Sequence, residues 1–283
     1  MKRNRSVSVL ALTVLVAFSL KACSKEEYPI DSITLITSAA QVQFSLSGSE
    51  DIVIHWGDDG KKSTLNEGTF LDFAERFEFS HTYPFATSRK IIITGKVENL
   101  RCDNMQLTAL DVSRNGELTA LNCSGNQLTA IDVSRNTALT SLICSNNQLT
   151  DLDVSKNTAL LELNLGGNQI SAIDVSRNTA LKYLGCSDTP LTNIDVSANT
   201  GLTILNLNRS QLTKLDVSTN TMMNSLCVRG NQLTVSALND LFKTLFYVPE
   251  GEYAFIDYTE NPGWRDADHS IWQEKNWMYN SCR

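Results

Sequence analysis

The sequence predicts a parallel-β solenoid, built as a curved stack of coils, with a small β-sandwich-like domain before it and an α/β cap after it. Three observations carry this. A 21-residue unit recurs without insertion from residue 97 to about 235. The segment 32–96 reads as short strands separated by turns, and after residue 235 the apolar spacing becomes helical.

The chain opens on "MKRNR", a basic run, followed by an apolar stretch from Ser6 to Leu20 and the tetrapeptide "LKAC". The stretch is too short for a membrane span and has the flanks of a secretory signal. Ala22 followed by Cys23 resembles the lipobox of bacterial lipoproteins, although Lys21 stands where that pattern has a small or apolar residue. The resemblance implies cleavage after residue 22, acylation of Cys23 and a tether over residues 23–31. "CSKEE" places Ser24, Lys25, Glu26 and Glu27 directly after that cysteine, which resembles the surface-export signal of lipoproteins in some Gram-negative anaerobes.

Loss of residues 1–22 removes Lys2, Arg3, Arg5 and Lys21, taking the net charge from −7 to −11. An acidic chain gains nothing from counterion release on nucleic acid, and anionic lipid headgroups repel it. Contact with a membrane is therefore expected only through the lipid anchor.

Strand-like runs follow: "ITLIT", "QVQFSLS", "DIVIHW", "RFEFSHTY" and "KIIITGKV", with "GDDG" (57–60) as a turn between two of them. "IHWGDDG" with the later "SHTY" resembles PKD-type, immunoglobulin-like sandwiches, with one extra Asp inserted. Asp58 and Asp59 could hold calcium, or form a turn satisfied by their own side chains. The turn needs no ion and is the preferred reading.

The repeat units begin at Val97, Leu118, Leu139, Leu160, Leu181 and Leu202, with a partial one at Met223. The fourth position is Leu in all seven: Leu100, Leu121, Leu142, Leu163, Leu184, Leu205 and Leu226. The pattern "LTxLDVSxNTALTxLxCSxNQ" resembles the leucine-rich repeats of bacterial surface proteins, over about 140 residues. One coil cannot bury its own apolar face, and stacking at about 4.8 Å buries a continuous core.

Position nine is Asn126, Asn147, Asn168 and Asn231, where an amide can satisfy backbone groups of two coils. Met105, Thr189 and Ser210 depart from this, and Pro190 after Thr189 predicts a different turn there. Positions 14 and 16 are apolar around an Asp, which predicts a second short strand on the back of each coil. After Asn231 the pattern stops. A helix is expected over "SALNDLFKTLFYV" with Ser236 as N-cap, then strand and turn in "YAFIDYTENPGW", then a short helix from Asp266 through Lys275. This divides the chain into a β domain at 32–96, a solenoid at 97–235 and a cap at 236–283.

Cys102, Cys123, Cys144 and Cys186 share position six with Leu165, Leu207 and Val228, so they read as small core hydrophobes and not as metal ligands. Cys227 lies one position off that column and should face outward; with Cys282 it is the one plausible bridge or reactive thiol. His55, His81 and His269 share no metal spacing, and no phosphate loop, nucleophile elbow or zinc-protease motif is present. No enzyme activity, cofactor or metal is expected. The Asp column (Asp111, Asp132, Asp153, Asp174, Asp195, Asp216) costs about 0.9 kcal/mol per neighbouring pair in water. Arg114, Arg135, Lys156 and Arg177 three residues on can offset it, and a calcium ladder is the alternative.

In the front strand the outward positions three, five, seven and eight vary while the core columns do not. The expected partner-binding face is Ile143, Glu162, Tyr183, Ile204, Asn206, Asn208 and Arg229, centred on Tyr183 beside Ile204. The repeat resemblance implies protein binding or adhesion at the outer membrane, facing the cell exterior, with an extracellular or host protein as partner. Glycan binding in nutrient capture, a periplasmic envelope scaffold, and a spacer carrying the β domain are the alternatives.

Overall fold

The computed structural model describes residues 31–58, 60–71 and 76–282. The expected signal segment at residues 1–22, Cys23, the Ser24–Glu27 run and Asp59 lie outside the described residues. Among the described residues no helix is long and apolar enough to cross a membrane.

Seven strands precede the repeats: β1 Ser32–Thr37, β2 Gln41–Gly48, β3 Val53–His55, β4 Lys62–Thr64, β5 Thr69–Leu71, β6 Arg76–Thr82 and β7 Arg89–Thr94. Alternation puts Ile33, Leu35, Ile54, Ile91 and Ile93 of one sheet against Phe44, Leu46 and Phe79 of the other, all buried. The two halves of the sandwich motif meet. The Trp56 ring stacks on His81 at 4.7 Å, and the Tyr83 hydroxyl donates to the Trp56 carbonyl at 2.7 Å. Asp58 Oδ2 lies 3.0 Å from His81 Nε2 on β6 and 3.3 Å from Lys61 Nζ in the turn, so this oxygen is held by the domain's own residues.

The coils contribute β8 Val97–Arg101, β9 Leu107–Asp111, β10 Ala120–Asn122, β11 Ser141–Ile143, β12 Glu162–Asn164, β13 Tyr183–Gly185, β14 Ile204–Asn206 and β15 Ser225–Cys227. After helix α1, Val235–Thr244, come β16 Ala254–Asp257, helix α2 Ser270–Gln273 and β17 Trp277–Tyr279. β8 and β10–β17 pair in parallel, one strand per coil, so the solenoid has about nine turns.

The sandwich and the solenoid share both sheets. β2 pairs antiparallel with β8, so the front sheet runs through twelve strands from β5 to β17. The second sheet, β4-β3-β7-β1-β9, ends on the back strand of the first coil.

The position-four leucines are all buried, each contributing roughly 1.5–3 kcal/mol of transfer free energy. The position-nine amides tie coils together. Asn147 Nδ2 donates to the carbonyls of Cys123 and Cys144, and its Oδ1 accepts from Leu128 N at 3.0 Å. A second asparagine column links coils on the back through its amide hydrogens: Asn157 Nδ2 donates to the carbonyls of Val133 and Asn136 in the preceding coil.

Five expectations are corrected. Among the described residues the back strand exists only in the first coil, as β9, where β1 supplies a partner; in the other coils the segment has no neighbour to pair with and turns instead. There Asp Oδ1 accepts the backbone N–H of the serine two residues on, as in Asp153 with Ser155 at 2.8 Å. The coil at Thr189-Pro190 does not turn differently. Asp188 has φ +55° like Asn146 at +54° in an earlier coil, and Thr189 Oγ1 donates to the Cys186 carbonyl at 2.7 Å in place of the missing amide.

Helix α1 starts earlier than expected, because Thr234 Oγ1 caps it by accepting from Ala237 N; α2 starts later, at Ser270, behind a turn closed by Asp268. The repeat also does not stop at Asn231. "AFIDYTEN" forms another coil, with Ile256 in the leucine place, Tyr258 in the cysteine place and Asn261 donating to the Val228 and Tyr258 carbonyls.

Candidate binding face

Each of β10–β15 presents three residues. The middle leucine points inward, and its two neighbours stand on the outer face because side chains alternate along a strand. Register then builds two columns across the coils. The first is Asn99, Ala120, Ser141, Glu162, Tyr183, Ile204, Ser225, Phe255 and Met278. The second is Arg101, Asn122, Ile143, Asn164, Gly185, Asn206, Cys227 and Asp257.

Glu162, Tyr183 and Ile204 are therefore direct neighbours, as the sequence spacing requires. Ser141 Oγ donates to Glu162 Oε2 at 2.7 Å. Tyr183 lies across Gly185: a Cβ there would sit 2.9 Å from the tyrosine hydroxyl, so the missing side chain makes room for the ring. Burial of the phenol, and then the nearby Glu162 charge, raise its pKa. Beyond Ile204 the column continues through Ser225 to half-buried Phe255 and Met278. These two were missed because they belong to the cap strands, outside the 21-residue period.

Residues 137–178 match the family model for leucine-rich repeats, in two copies. The chain carries leucine-rich repeats. Three solved structures are similar to it. The functional domain of InlJ from Listeria monocytogenes, described as including a cysteine ladder, is 31% identical with a TM-score of 0.46, covering 63% of this chain and 47% of that one. A leucine-rich-repeat protein of Leptospira interrogans is 21% identical at a TM-score of 0.46, covering 58% and 47%. The leucine-rich-repeat domain of APL1B is 18% identical at 0.50, covering 65% and 62%. The match thus spans about half to three fifths of each of these chains. No curated protein matches the sequence.

The leucine-rich-repeat front face departs from the expected residue set at its C-terminal end. Asn208 is buried, 9% exposed, and its Oδ1 accepts from Arg229 N at 2.9 Å, so this position-seven side chain holds the next coil and does not face out. Arg229 pairs with Glu260 from the cap loop, which raises its pKa and lowers that of Glu260. Asn206 stays on the face, with Oδ1 accepting from Asn208 N at 3.2 Å. Ile143 stands in the second column, two coils from Gly185, apart from the Tyr183–Ile204 patch. Cys227 leaves the core as expected, but it is bonded to Cys282 and covered by the chain's last turn, at 3% exposure.

The position-six cysteines of the leucine-rich repeats are free thiols, fully buried. Burial pushes the Cys123 and Cys186 thiols up to about 12 and the Cys102 and Cys144 thiols well above their ordinary value. They pack as hydrophobes and are not nucleophiles. Among the described residues no three His, Cys, Asp or Glu side chains converge as metal ligands. Burial pushes the Asp58 carboxyl up, but hydrogen bonds from His81 and Lys61 outweigh it and hold it below its ordinary value.

Proposed function

We propose that the chain is a lipid-anchored protein of the outer membrane, displayed on the cell exterior, whose front face binds an extracellular or host protein. Leucine-rich-repeat domains are typical of protein-binding and adhesion proteins rather than enzymes. The observation that carries the reading is the column Tyr183, Ile204, Phe255 and Met278, large apolar side chains half-buried on a rigid sheet. Aromatic and aliphatic anchors on a preformed surface supply most of the energy of protein recognition. The lipobox at Cys23, the Ser24–Glu27 run and the oxidised Cys227–Cys282 pair support the exported location. Residues 32–96, with their PKD-like motif, serve as the membrane-side base of the stack.

Protease treatment of intact cells, with lysed cells as control, tests the location. Digestion on intact cells supports exterior display; protection until lysis moves the protein to the periplasm and removes adhesion. Retention of serum proteins by cells displaying the native chain, Ile204→Asp or Lys156→Ala tests the face. Loss with Ile204→Asp alone is the expected result. Equal retention by all three overturns the reading.

A further inference from the structure

The front sheet holds a second feature at its N-terminal end, where the sandwich meets the first coils. A hollow of about 280 Å³ opens there over the first column's smallest residues, Ala120 and Ser141. Arg76 on β6 and Arg101 on β8 both line it, with the Asn99 and Asn122 amides. The backbone at Leu100 and Leu121, and Ile143, complete its lining. Among the described residues no carboxylate lines it. Asp103 bonds Arg101 Nε at 2.7 Å from the neighbouring hollow, which orients the guanidinium and leaves its terminal nitrogens to a ligand. Arg76 Nε is buried with no hydrogen-bond partner among the described residues.

We infer that this hollow is a carboxylate-binding subsite of the front face, which receives an acidic side chain of the protein partner. The inference rests on the protein-binding reading above and adds the partner's chemistry. Two guanidinium groups over small residues fit a planar carboxylate, which accepts paired N–H donors. The Asn99 and Asn122 amides supply further donors, and the small side chains of Ala120 and Ser141 leave room beside Arg101 for the acid. The chain as a whole is acidic, at −7, so an acidic side chain is drawn to the paired guanidinium groups and not to the surface at large.

Position sets the partner's pattern. Ser141 and Ala120 lie two and three coils, about 10–15 Å, from Tyr183, and Arg101 lies four coils, about 19 Å, from it, with Glu162 between them. A partner segment therefore offers an acid at the β8–β11 end and apolar side chains at the β13–β16 end. Glu162 repels the acid from the middle, which fixes the direction in which the segment lies.

The test is fluorescence anisotropy of fluorescein-labelled hexaglutamate, with hexaglutamine as the neutral probe, titrated with the full chain. Saturable binding of hexaglutamate and none of hexaglutamine is expected. Arg76→Gln and Arg101→Gln should each weaken it by about tenfold, the worth of one charge-assisted hydrogen bond. Lys156→Gln on the opposite side of the coils should leave it unchanged, and circular dichroism verifies that each variant is folded. The inference is overturned if the two peptides bind alike, or if Lys156→Gln weakens binding as much as Arg76→Gln, which is diffuse attraction. Should Ile204→Asp abolish serum-protein retention while hexaglutamate fails to bind, the carboxylate subsite alone is wrong and the protein-binding face stands.

Discussion

At the residue scale, the amides of position nine do what no apolar residue can. Asn147 Nδ2 serves the carbonyls of its own coil and of the coil before, and Oδ1 serves Leu128 N. All three groups are buried away from water, so removing the amide strands them together. Asn147→Ala is expected to lower unfolding free energy by about 3–5 kcal/mol, read from the shift in urea midpoint. The surroundings of Thr189 and Ser210 show how far the role can be relaxed. Their hydroxyls both donate to the Cys186 carbonyl, at 2.7 and 3.0 Å. A hydroxyl has one hydrogen where the amide has two, so these coils hold fewer cross-links. Asn147→Thr should therefore cost less than Asn147→Ala; an equal cost would show that position nine matters through volume alone.

At the element scale, each back turn is closed by its aspartate. Hydrogen bonds from the hydroxyl and backbone of the serine two residues on lower the carboxyl pKa values of Asp132, Asp153, Asp174 and Asp195. The basic column contributes less: Arg135, Lys156 and Arg177 act on the first three after the serines. A carboxyl held below its unfolded value stabilises the fold above that value and loses the contribution as pH falls through the folded one. The urea midpoint is thus expected to be level from pH 7 to about 5 and to drop below about 4. Replacing these four by Asn should flatten the drop, and parallel slopes in the two proteins would show that the turns do not depend on charge.

The cap is a larger element of the same kind. The Cys227–Cys282 bridge closes a 55-residue separation that contains α1, β16, α2 and β17. Chain-entropy reasoning gives about 4 kcal/mol for a loop of that size. Cys282→Ser should lower stability by up to that amount and speed proteolysis within residues 250–283 before the interior coils are cut. Uniform cleavage along the chain would argue against local release of the cap.

Elements were legible where the period held. The strict 21-residue spacing placed every interior front strand and made Tyr183, Ile204 and Glu162 readable as neighbours. It failed at "AFIDYTEN", because α1 widens the step from Leu226 to its partner Ile256, and because Ile and Tyr replace the expected Leu and Cys. It failed at Arg76 for a different reason: this residue reaches the front face through the β2–β6 and β2–β8 pairings, and no local pattern encodes a long-range register. Asn208 was misplaced because it occupies an outward position by count, while its short amide turns back to the backbone of the next coil.

At the scale of the whole molecule, the question is which pieces can be removed. A solenoid coil contacts only its neighbours, and every interior coil offers the same faces. Deleting residues 139–159 joins Ala138 to Leu160 in register, keeps both end structures and shortens the stack by about 4.8 Å. That variant should fold, with lower stability and one cooperative transition.

The sandwich is different, because it is not a separate bead on the chain. Its β2 is hydrogen-bonded to β8 and its β1 to β9, so both strands of the first coil take their outer partner from it. Residues of the two parts also bury one continuous core, from Ile33 and Phe44 through Leu100 and Val112. Removing residues 32–96 would bare two strand edges and the apolar end of the stack together, the combination that leads to edge pairing and aggregation. The expected result is that the chain beginning at residue 97 is insoluble or unfolded by circular dichroism, while the 139–159 deletion elutes as a compact species. A soluble, folded 97–283 fragment would mean that the first coil caps itself. The binding test that compares intact and truncated chains could then be run directly; otherwise the contribution of the sandwich has to be measured by point substitution on its exposed strands.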